Sequence, residues 1–500
     1  MQRSGEKGVA LVFTLFLMAA LSAMAVSMMF LAQTETSASR NYRTMSQARY
    51  AGEAGVHKAI NFLLYSYTAP SSMSGYTTTT SPVQYSSADV VLSAVSGVSS
   101  NYPDTAVIAA FNTAAQGTLT VGTGTVNYAA YAKLLSMRNV TVYGGAARTI
   151  QTWQITATGT VPGSLPATVE VSAILEQNVA PADAYAIFAT GTGCGAIDLR
   201  GTMHTDSYDS TAPLSGGHPV TDTSGGAVGT NGNLSISGNV TVNGNLDTPR
   251  TGVGDCHDGT PTALSAAGSA TVSGSVVPLP QAKTYDTPAL PSPLPPTSPV
   301  TISSCASISA LIVPAMCTSS PTGALTITTS GSTPLSLGNV TLGANVYLTI
   351  QYGIGGMMAS TGTAVVNLNS ISLGANSTLN IGTNTGVTMN VVGSGVTSPT
   401  PVIDFTGGTF ANSSFDPSKF QILYAGTGDI EMTGGSQAAM TIYAPNAAVT
   451  MHGTADIYGS ILSRSFVDTG GATVHYDRRL ATKYFVIGNY VMSSFSWKKY

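Results

Sequence analysis

The sequence predicts an α+β protein with one long N-terminal helix, a small antiparallel sheet and then a large, mainly β region. Three observations lead to this prediction. The stretch 9–31 is almost entirely apolar, and an amphipathic helical pattern continues from it to about residue 65. After residue 66 the chain is rich in Ser, Thr, Gly and Asn, with alternating aliphatic residues. Thr and alternating aliphatics favour strands, whereas Gly and Asn favour tight turns.

The composition limits the class of protein. Of the 500 residues, 43% are hydrophobic, which is enough for a buried core, but only 8% are charged. Ordinary soluble domains have roughly 25% charged residues. The formal net charge is −4 and the basic residues form no cluster, so the sequence does not favour nucleic-acid binding. A surface of uncharged polar residues predicts an extended β structure outside the cytoplasm.

The N-terminal apolar run is long enough to cross a membrane. At ~1.5 Å per residue, 9–31 spans ~35 Å, against a bilayer core of ~30 Å. Arg3 and Lys7 precede the run and predict a cytoplasmic N-terminus. A cleaved signal peptide is the alternative, because Ala23-Met24-Ala25 satisfies the small-x-small cleavage pattern. The apolar run continues past that point, and this favours a helix that is retained.

Helical periodicity continues beyond the membrane segment. Apolar or small residues recur at steps of three and four: Ala38, Tyr42, Met45, Ala48, Gly52, Val56, Ala59 and Leu63. The middle of this stripe is small, with Ala48, Gly52, Gly55 and Ala59. A glycine inside a helix costs about 1 kcal/mol relative to alanine. The two glycines therefore predict close packing of the helix backbone against another element.

These residues carry a resemblance to a known family. The short leader ending in Gly8, the run "GVALVFTLFLMAALSAMA" and the later "ARYAGEAGVHKAI" are similar to the N-terminal region of PilX-type minor pilins of type IV pili. They are also similar to the tip minor pseudopilins of type II secretion. The resemblance covers about the first 65 residues. It implies a leader at 1–8, prepilin peptidase processing before Val9 with methylation, and a single-pass helix (9–65) in the bacterial inner membrane. The rest of the chain would be extracytoplasmic, at the pilus tip or cell surface after assembly.

One position departs from the major pilins. Processing before Val9 makes Phe13 the fifth mature residue, where the resemblance implies a glutamate in major subunits. A carboxylate buried in a fibre needs a cation, which would be the α-amino group of the neighbouring subunit. Phe13 cannot form this pair, so the resemblance implies a sparse subunit that initiates or caps the fibre. Its partners would be other minor pilins, the major pilin, prepilin peptidase and, before assembly, inner-membrane lipid.

Residues 66–180 are predicted to form a pilin-like head. The stretch 66–102 is rich in Ser, Thr and Tyr and contains Pro70 and Pro82, which predicts a loop. Between about 104 and 177, alternating stretches such as "TIQTWQITATGTV" predict the strands of a small antiparallel sheet. Packing this sheet on the amphipathic half of the helix buries the apolar face of each.

Residues 181–480 are predicted to form a β-solenoid. Short strands alternate with Gly-Asn turns, and the tetrapeptide at 342–345 (LGAN) recurs at 373–376. A right-handed parallel β-helix is the preferred architecture, and a β-sandwich is the alternative. The Pro-rich stretch 276–300 predicts a polyproline-like surface excursion, and the aromatic segment 481–500 predicts a C-terminal cap on the solenoid.

The chain has four cysteines, and their spacing favours two disulfides. Cys305 and Cys317 close a short loop, which leaves Cys194 and Cys256 as the second pair. A zinc site is the competing interpretation, but no C-x-x-C spacing occurs and only His257 adjoins a cysteine.

Polar constellations give little support for catalysis. The densest group could supply hydrolase carboxylates or Ca²⁺ ligands: His204, Asp206, Asp209, Asp255, His257 and Asp258. Turn formation by these aspartates is the preferred interpretation. Two later groups are expected to be solvated edges of strands: His452 with Asp456, and His475 with Asp477 and Arg478. No catalytic, cofactor or metal site is expected.

The sequence therefore predicts a non-enzymatic minor pilin that displays a β-helical domain for adhesion or surface interaction, with a glycan as one class of ligand. Two alternatives remain open. One is a secreted β-helix lyase or hydrolase that acts on polysaccharide, and the other is a passive surface protein retained by an uncleaved helix.

Overall fold

A single helix, α1 (Glu6–Tyr65), begins the chain, and a mostly β structure follows it, as predicted. The computed structural model describes residues 6–121, 124–142, 147–163, 166–257, 259–311, 316–330, 334–354, 357–358, 361–433, 438–454, 456–483 and 485–499. The chain divides into two units. The first comprises Met1–Val140, Ala147–Val179 and Ile487–Tyr500, and the second comprises Thr141–Ala146 and Ala180–Val486.

The first unit combines α1 and a short helix, α2 (Thr105–Ala114), with eight strands before residue 182. These strands are β1 (Tyr76–Thr77), β2 (Gln84–Tyr85), β3 (Ala88–Asp89), β4 (Val91–Ser93), β5 (Gln116–Val121), β6 (Gly124–Thr141), β7 (Ala147–Val161) and β8 (Ala167–Pro181). β4 and β5 pair antiparallel with β6, and β7 pairs antiparallel with β8. The predicted antiparallel sheet is therefore present, next to a small sheet of β1, β2 and β3.

Helix α2 was not among the predicted elements. Asp104 caps it, since its carboxylate accepts hydrogen bonds from the backbone N–H groups of Ala106 at 2.8 Å and Val107 at 3.4 Å. An aspartate directly before an apolar run is an N-cap signal. The helix contributes Phe111 to the core, where its ring meets that of Phe62 of α1 edge-on at 5.4 Å.

The second unit contains the remaining strands up to residue 477. They are β9 (Ile187–Ala189), β10 (Ile197–Leu199), β11 (His204–Tyr208), β12 (Val228–Thr230), β13 (Leu234–Gly238), β14 (Thr241–Val242), β15 (Leu246–Thr248), β16 (Leu264–Gly268), β17 (Thr271–Val272), β18 (Val276–Pro278), β19 (Pro299–Ile302), β20 (Cys317–Ser319), β21 (Leu325–Thr329), β22 (Leu335–Leu342), β23 (Tyr347–Ile354), β24 (Met357–Met358), β25 (Gly362–Leu373), β26 (Thr378–Ile381), β27 (Thr385–Val391), β28 (Ile403–Phe405), β29 (Thr409–Ala411), β30 (Phe420–Tyr424), β31 (Ile430–Thr433), β32 (Ala438–His452), β33 (Asp456–Asp468) and β34 (Thr473–Asp477). Short 3₁₀ helices lie at Cys305–Ile308, Pro417–Lys419 and Leu480–Thr482.

Parallel pairing dominates this unit, and the paired residues form apolar ladders. One ladder runs through Leu335, Val366, Met389, Ile422, Ile442, Ile461, Ile187, Val228 and Leu246, each buried. The repeated tetrapeptide also stacks, because Leu342 pairs with Leu373 and Asn376 lies over Asn345. Both asparagines adopt a φ of 58°, the left-handed turn conformation that Asn tolerates. The repeat in the sequence therefore corresponds to stacked strands with matched turns.

The strands do not stack in chain order. The first layer (β9–β11) lies between β12–β14, which follow it in the chain, and the last layer (β33 and β34). We call this contact between the first and last layers the seam. Strand β18 pairs with β15 at one end of the stack and β19 pairs with β22 at the other end, although β18 and β19 are neighbours in sequence.

The Pro-rich segment 279–298, here called the strap, connects β18 to β19. It is shorter than the predicted excursion 276–300, because the residues at both ends form strands. The strap is tied down along its course. The backbone N–H of Lys283 donates to Asn231 Oδ1 at 2.8 Å, Tyr443 donates its hydroxyl to the carbonyl of Asp286 at 2.9 Å, and Asn339 Nδ2 donates to the carbonyl of Thr297 at 2.9 Å.

The last strand, β35 (Phe485–Lys499), pairs with β8 and lies at the edge of the first unit's sheet. The predicted cap at 481–500 therefore needs correction, since most of this segment completes the head. Apolar and aromatic residues that suggested a cap instead supply a strand to the antiparallel sheet. The second unit is accordingly an insertion between two neighbouring strands of the first.

Candidate functional site

The N-terminal half of α1 presents an uncovered apolar surface. All large hydrophobic side chains from Val9 to Leu31 are more than half exposed. The helix contains an 18-residue window of mean hydropathy 2.5 and is, by length and composition, able to cross a membrane. A helix that is apolar all round requires lipid or other helices around it.

The residues predicted to govern processing lie on this half. Gly8 and Val9 belong to the first turns of α1, and Phe13 lies one turn beyond Val9 with 73% of its side chain exposed. From Val9 to Thr34 the sequence contains no carboxylate. Cleavage before Val9 and the consequence of Phe13 for assembly stay predictions.

The second half of α1 packs directly on the sheet through its small residues. A Cβ on Gly159 of β7 would lie 1.9 Å from the carbonyl oxygen of Ala48 and 2.4 Å from the backbone nitrogen of Gly52. A Cβ on Gly55 would lie 2.9 Å from the Cβ of Ala157. The close approach that the small stripe predicted is therefore confirmed, and its partner is β7. Gly159, a lone glycine inside an alternating strand pattern, was the signal that sequence reasoning missed.

Asp206 and His475 meet at the seam. They are directly paired residues of β11 and β34, and a hydrogen bond of 2.5 Å joins Asp206 Oδ1 to His475 Nδ1. Asp456 Oδ1 lies 3.8 Å from His475 Nε2, and Tyr458 stacks on the imidazole with centroids 4.5 Å apart. Only 5% of Asp206 and 7% of His475 is exposed. The predicted turn for Asp206 and the predicted solvated edge for His475 are both wrong.

Two opposing effects set the charge of His475. Burial lowers its pKa, but the hydrogen bonds and charges of Asp206 and Asp456 outweigh burial and raise the pKa to about 9. The hydrogen bond from His475 in turn lowers the pKa of Asp456. His475 is therefore a cation at neutral pH between two carboxylates. The buried bond between Asp206 and His475 ties the first layer to the last, about 270 residues apart in sequence.

The other predicted polar residues are dispersed. Asp209 forms a turn, as predicted, because its carboxylate accepts a hydrogen bond from the backbone N–H of Thr211 at 2.9 Å. Arg479 donates a hydrogen bond to the same carboxylate at 3.0 Å and thereby lowers the pKa of Asp209. His204 contacts Thr473. Asp255 and His257 are exposed in a loop, and Asp258 lies outside the described residues.

The later groups are only partly solvated. Arg478 is exposed and His452 is half-buried, but Asp477 is 1% exposed and its pKa is raised because burial disfavours the charged form. Within the described ranges, no group of three or more His, Cys, Asp or Glu residues is arranged to hold a metal ion.

Both predicted disulfides are present. Cys194 bonds to Cys256 across a sequence separation of 62, and Cys305 bonds to Cys317 across a separation of 12. The pairing inferred from spacing is confirmed, and the zinc interpretation is wrong, because all four sulfurs are in disulfides.

Asp183 is a buried carboxyl that the sequence reasoning did not single out. Asp183 lies where the chain enters the second unit and is 1% exposed. Desolvation raises its pKa to about 8, so it holds a proton at neutral pH. The signal was an acidic residue beside an apolar strand, in "ADAYAIF", which also fits a surface turn.

A comparison with known protein families agrees with the resemblance found in the sequence. Residues 7–57 match the PilX N-terminal family, and residues 338–483 match a domain of unknown function, DUF7305. Among curated proteins, none matches the chain significantly. Among solved structures, the chain is similar to the competence-associated pilin ComZ from Thermus thermophilus, with 13% identity over 92% of this chain and 98% of that chain and a TM-score of 0.24. A TM-score this low does not establish a shared fold. The resemblance of the N-terminal region to PilX-type minor pilins is confirmed by the family match.

Proposed function

We propose that the chain is a non-enzymatic minor pilin of a type IV pilus or related pseudopilus. The observation that carries the proposal is α1. Its first half is apolar and uncovered, its second half packs through small residues on an antiparallel sheet, and residues 7–57 match the PilX N-terminal family. An apolar helical surface of this extent is stable in lipid or against other helices. Those are the environments of a pilin before and after assembly.

The subunit initiates or caps the fibre. After processing before Val9, Phe13 occupies the place of the carboxylate that would neutralise a neighbouring subunit's amine. A buried amine without a partner is costly, so this subunit belongs where no such partner is required. Other minor pilins, the major pilin and prepilin peptidase are the proposed partners. The proposed location is the inner membrane, single pass, with the β units extracytoplasmic and, after assembly, at the pilus tip or cell surface.

The second unit is a right-handed parallel β-helix displayed for adhesion or surface interaction. Its parallel ladders support this architecture over a β-sandwich, whose sheets pair antiparallel. Parallel crossovers are right-handed in about 98% of cases. A non-enzymatic role is supported by the seam, because Asp206 and His475 are buried and hydrogen-bonded to each other. A polysaccharide lyase or hydrolase would need such groups open to substrate.

N-terminal processing tests the pilin assignment. Gly8→Arg should leave an unprocessed precursor in the membrane and remove the protein from sheared fibres. Intact-mass or N-terminal analysis of the wild type should give a mature start at Val9, and Ser4→Ala, within the leader, is the matched control that should be processed normally. A mature start at Val26 would contradict the pilin assignment and favour a secreted enzyme.

Stoichiometry tests the position in the fibre. Quantitative mass spectrometry of sheared fibres should find this chain at a few copies per fibre, because Phe13 prevents the amine–carboxylate pairing and a large second unit on every subunit would crowd the lattice. Phe13→Glu should raise its abundance if the missing carboxylate is the restriction. Parity of the wild-type chain with the most abundant pilin would refute the tip assignment.

A further inference from the structure

A cavity of about 450 Å³ lies in the first unit, next to the place where α1 leaves the sheet. One wall is a single face of α1, and the opposite wall is formed by the neighbouring ends of β6 and β7. The lining includes Arg40, Arg43, Thr44, Gln47, Thr125 and Val161. The spacing of 40, 43, 44 and 47 places these four side chains on one helix face. Ala48, the next residue, already contacts β7, so the cavity is the wedge that opens as the helix departs from the sheet.

The cavity is cationic. Arg40 and Arg43 are exposed, and among the residues that the structure describes no carboxylate lines the cavity with them. Arg49, farther along α1, contrasts with them because it pairs with Glu53 at 2.8 Å. Thr44, Thr125 and Gln47 add neutral hydrogen-bonding groups to the lining of the cavity. Two guanidinium groups beside hydroxyl and amide donors match the oxygens of a phosphate group, which Arg recognises through paired N–H donors.

The height of the cavity along α1 indicates where this phosphate comes from. Arg40 follows the end of the apolar run at Leu31 by about 13 Å along the helix axis. Helical side chains lean towards the N-terminus, and a long Arg side chain extends farther in that direction. The polar headgroup layer reaches about 5–8 Å beyond the hydrocarbon core. With 9–31 in the bilayer, the guanidinium of Arg40 therefore reaches the headgroup layer, and Arg43 lies one turn above it.

We propose that the cavity at Arg40 and Arg43 binds the phosphate of an anionic phospholipid headgroup in the extracytoplasmic leaflet. This inference rests on the membrane insertion of α1 in the proposed function. The contact fixes the height and rotation of the first unit over the membrane before assembly. Entry into a fibre then requires the subunit to release this lipid, so the site favours the membrane-bound state.

Native mass spectrometry of the detergent-solubilised full-length chain tests the site. Phosphatidylglycerol and phosphatidylcholine are titrated separately, and the wild type should bind phosphatidylglycerol more tightly. Arg40→Gln/Arg43→Gln should weaken phosphatidylglycerol binding roughly 25-fold, which corresponds to about 1 kcal/mol for each arginine near a membrane surface. The matched control is Arg138→Gln/Arg148→Gln, which removes the same charge from the opposite ends of β6 and β7 and should leave binding unchanged. Tryptophan fluorescence verifies that the first unit of each variant folds, because Trp153 and Trp497 both belong to that unit.

Three outcomes would overturn the inference. Equal weakening in both double variants would show a general charge effect, and equal binding of the two lipids by the wild type would show no anionic headgroup site. Binding of inorganic phosphate as tight as that of phosphatidylglycerol would show a site for free phosphate instead of lipid. The minor-pilin proposal is tested separately by the mature N-terminus, so either proposal can fail while the other holds.

Discussion

The two units stabilise their interiors differently. In the first unit the described buried polar side chains are uncharged, namely Ser93, Gln151 and Thr156. In the second unit they include ionisable groups: Asp183, Asp206, Asp468, His475 and Asp477. The first unit is a helix packed on a sheet by close backbone contact, while the second joins distant layers through paired charges. Charge and pH should therefore affect the second unit more than the first.

The two tryptophans allow the units to be followed separately. Trp153 and Trp497 both belong to the first unit, and Trp153 is fully buried beside Tyr67. Tryptophan fluorescence therefore reports the unfolding of the first unit. Far-UV circular dichroism, together with hydrogen exchange of peptides from 180–486, reports the second.

The largest loss of stability is expected from a substitution at the seam. Asp206→Ala leaves His475 buried without its closest carboxylate, and breaking a buried pair in this way costs about 3–5 kcal/mol. Urea unfolding followed by circular dichroism should show this loss, with faster exchange in 456–477 and an unchanged fluorescence transition. Asp198→Asn in the same layer is the control, because its partner Arg200 has a side chain that is 59% exposed and the substitution should change little. Equal losses of stability from the two substitutions would show that the Asp206–His475 pair contributes no more to stability than the contact between Asp198 and Arg200.

Removal of a disulfide should cause the next-largest loss of stability, and this loss should depend on the length of the loop that the disulfide closes. Cys194→Ser/Cys256→Ser opens a loop of separation 62 and Cys305→Ser/Cys317→Ser a loop of separation 12. Chain entropy predicts losses of about 4 and about 3 kcal/mol for the second unit. Denaturation of both double variants at the same pH shows which disulfide contributes more to stability. The reverse order would indicate that local packing outweighs loop entropy.

The pH dependence of stability should also separate the units. His475 has a pKa of about 9 in the folded chain and about 6.5 when unfolded. Its contribution is therefore fully present below pH 6.5 and is lost as the pH rises to 9. Asp183, raised to about 8 by desolvation, acts in the same direction from pH 4 to 8. The free energy of unfolding of the second unit should therefore fall as the pH rises through the window of each group.

His475→Gln supplies the control for this prediction. The variant should have a flatter stability profile between pH 6.5 and 9, with the remaining slope below pH 8 due to Asp183. The fluorescence transition of the first unit should move less over this range. A second unit whose free energy of unfolding is constant from pH 6 to 9 would contradict the assigned protonation of both groups.

The smallest effect is expected at the helix–sheet contact of the first unit. Gly159→Ala places a Cβ against the carbonyl of Ala48, and overpacking of this kind costs about 1–3 kcal/mol. Tryptophan fluorescence should report the loss, with the second unit unaffected. Gly124→Ala is the matched control, because its Cβ would meet nothing closer than 3.8 Å. Similar stability of the two variants would mean that α1 can shift away from β7 without cost.

Local sequence patterns were sufficient to predict the helix α1, the strands and the cysteine pairs. The apolar run and the stripe of small residues predicted both halves of α1, and Gly52 and Gly55 predicted the close contact. The spacing of 342–345 and 373–376 predicted stacked strands, since a repeat of about 31 residues returns the chain to the same ladder. These features depend on residues near one another in sequence.

The sequence by itself determined that an apolar helix precedes a mostly β chain with uncharged polar surfaces and two disulfides, because periodicity and composition act locally. Only the tertiary structure decided that β35 returns to the first unit and that the first layer of the second unit meets its last. It also turned Asp206 and His475, which sequence patterns assigned to turns and solvated edges, into a buried pair. The physical reason is that each of these contacts joins segments hundreds of residues apart. Which strand edges remain open to one another is fixed only when all the layers are packed.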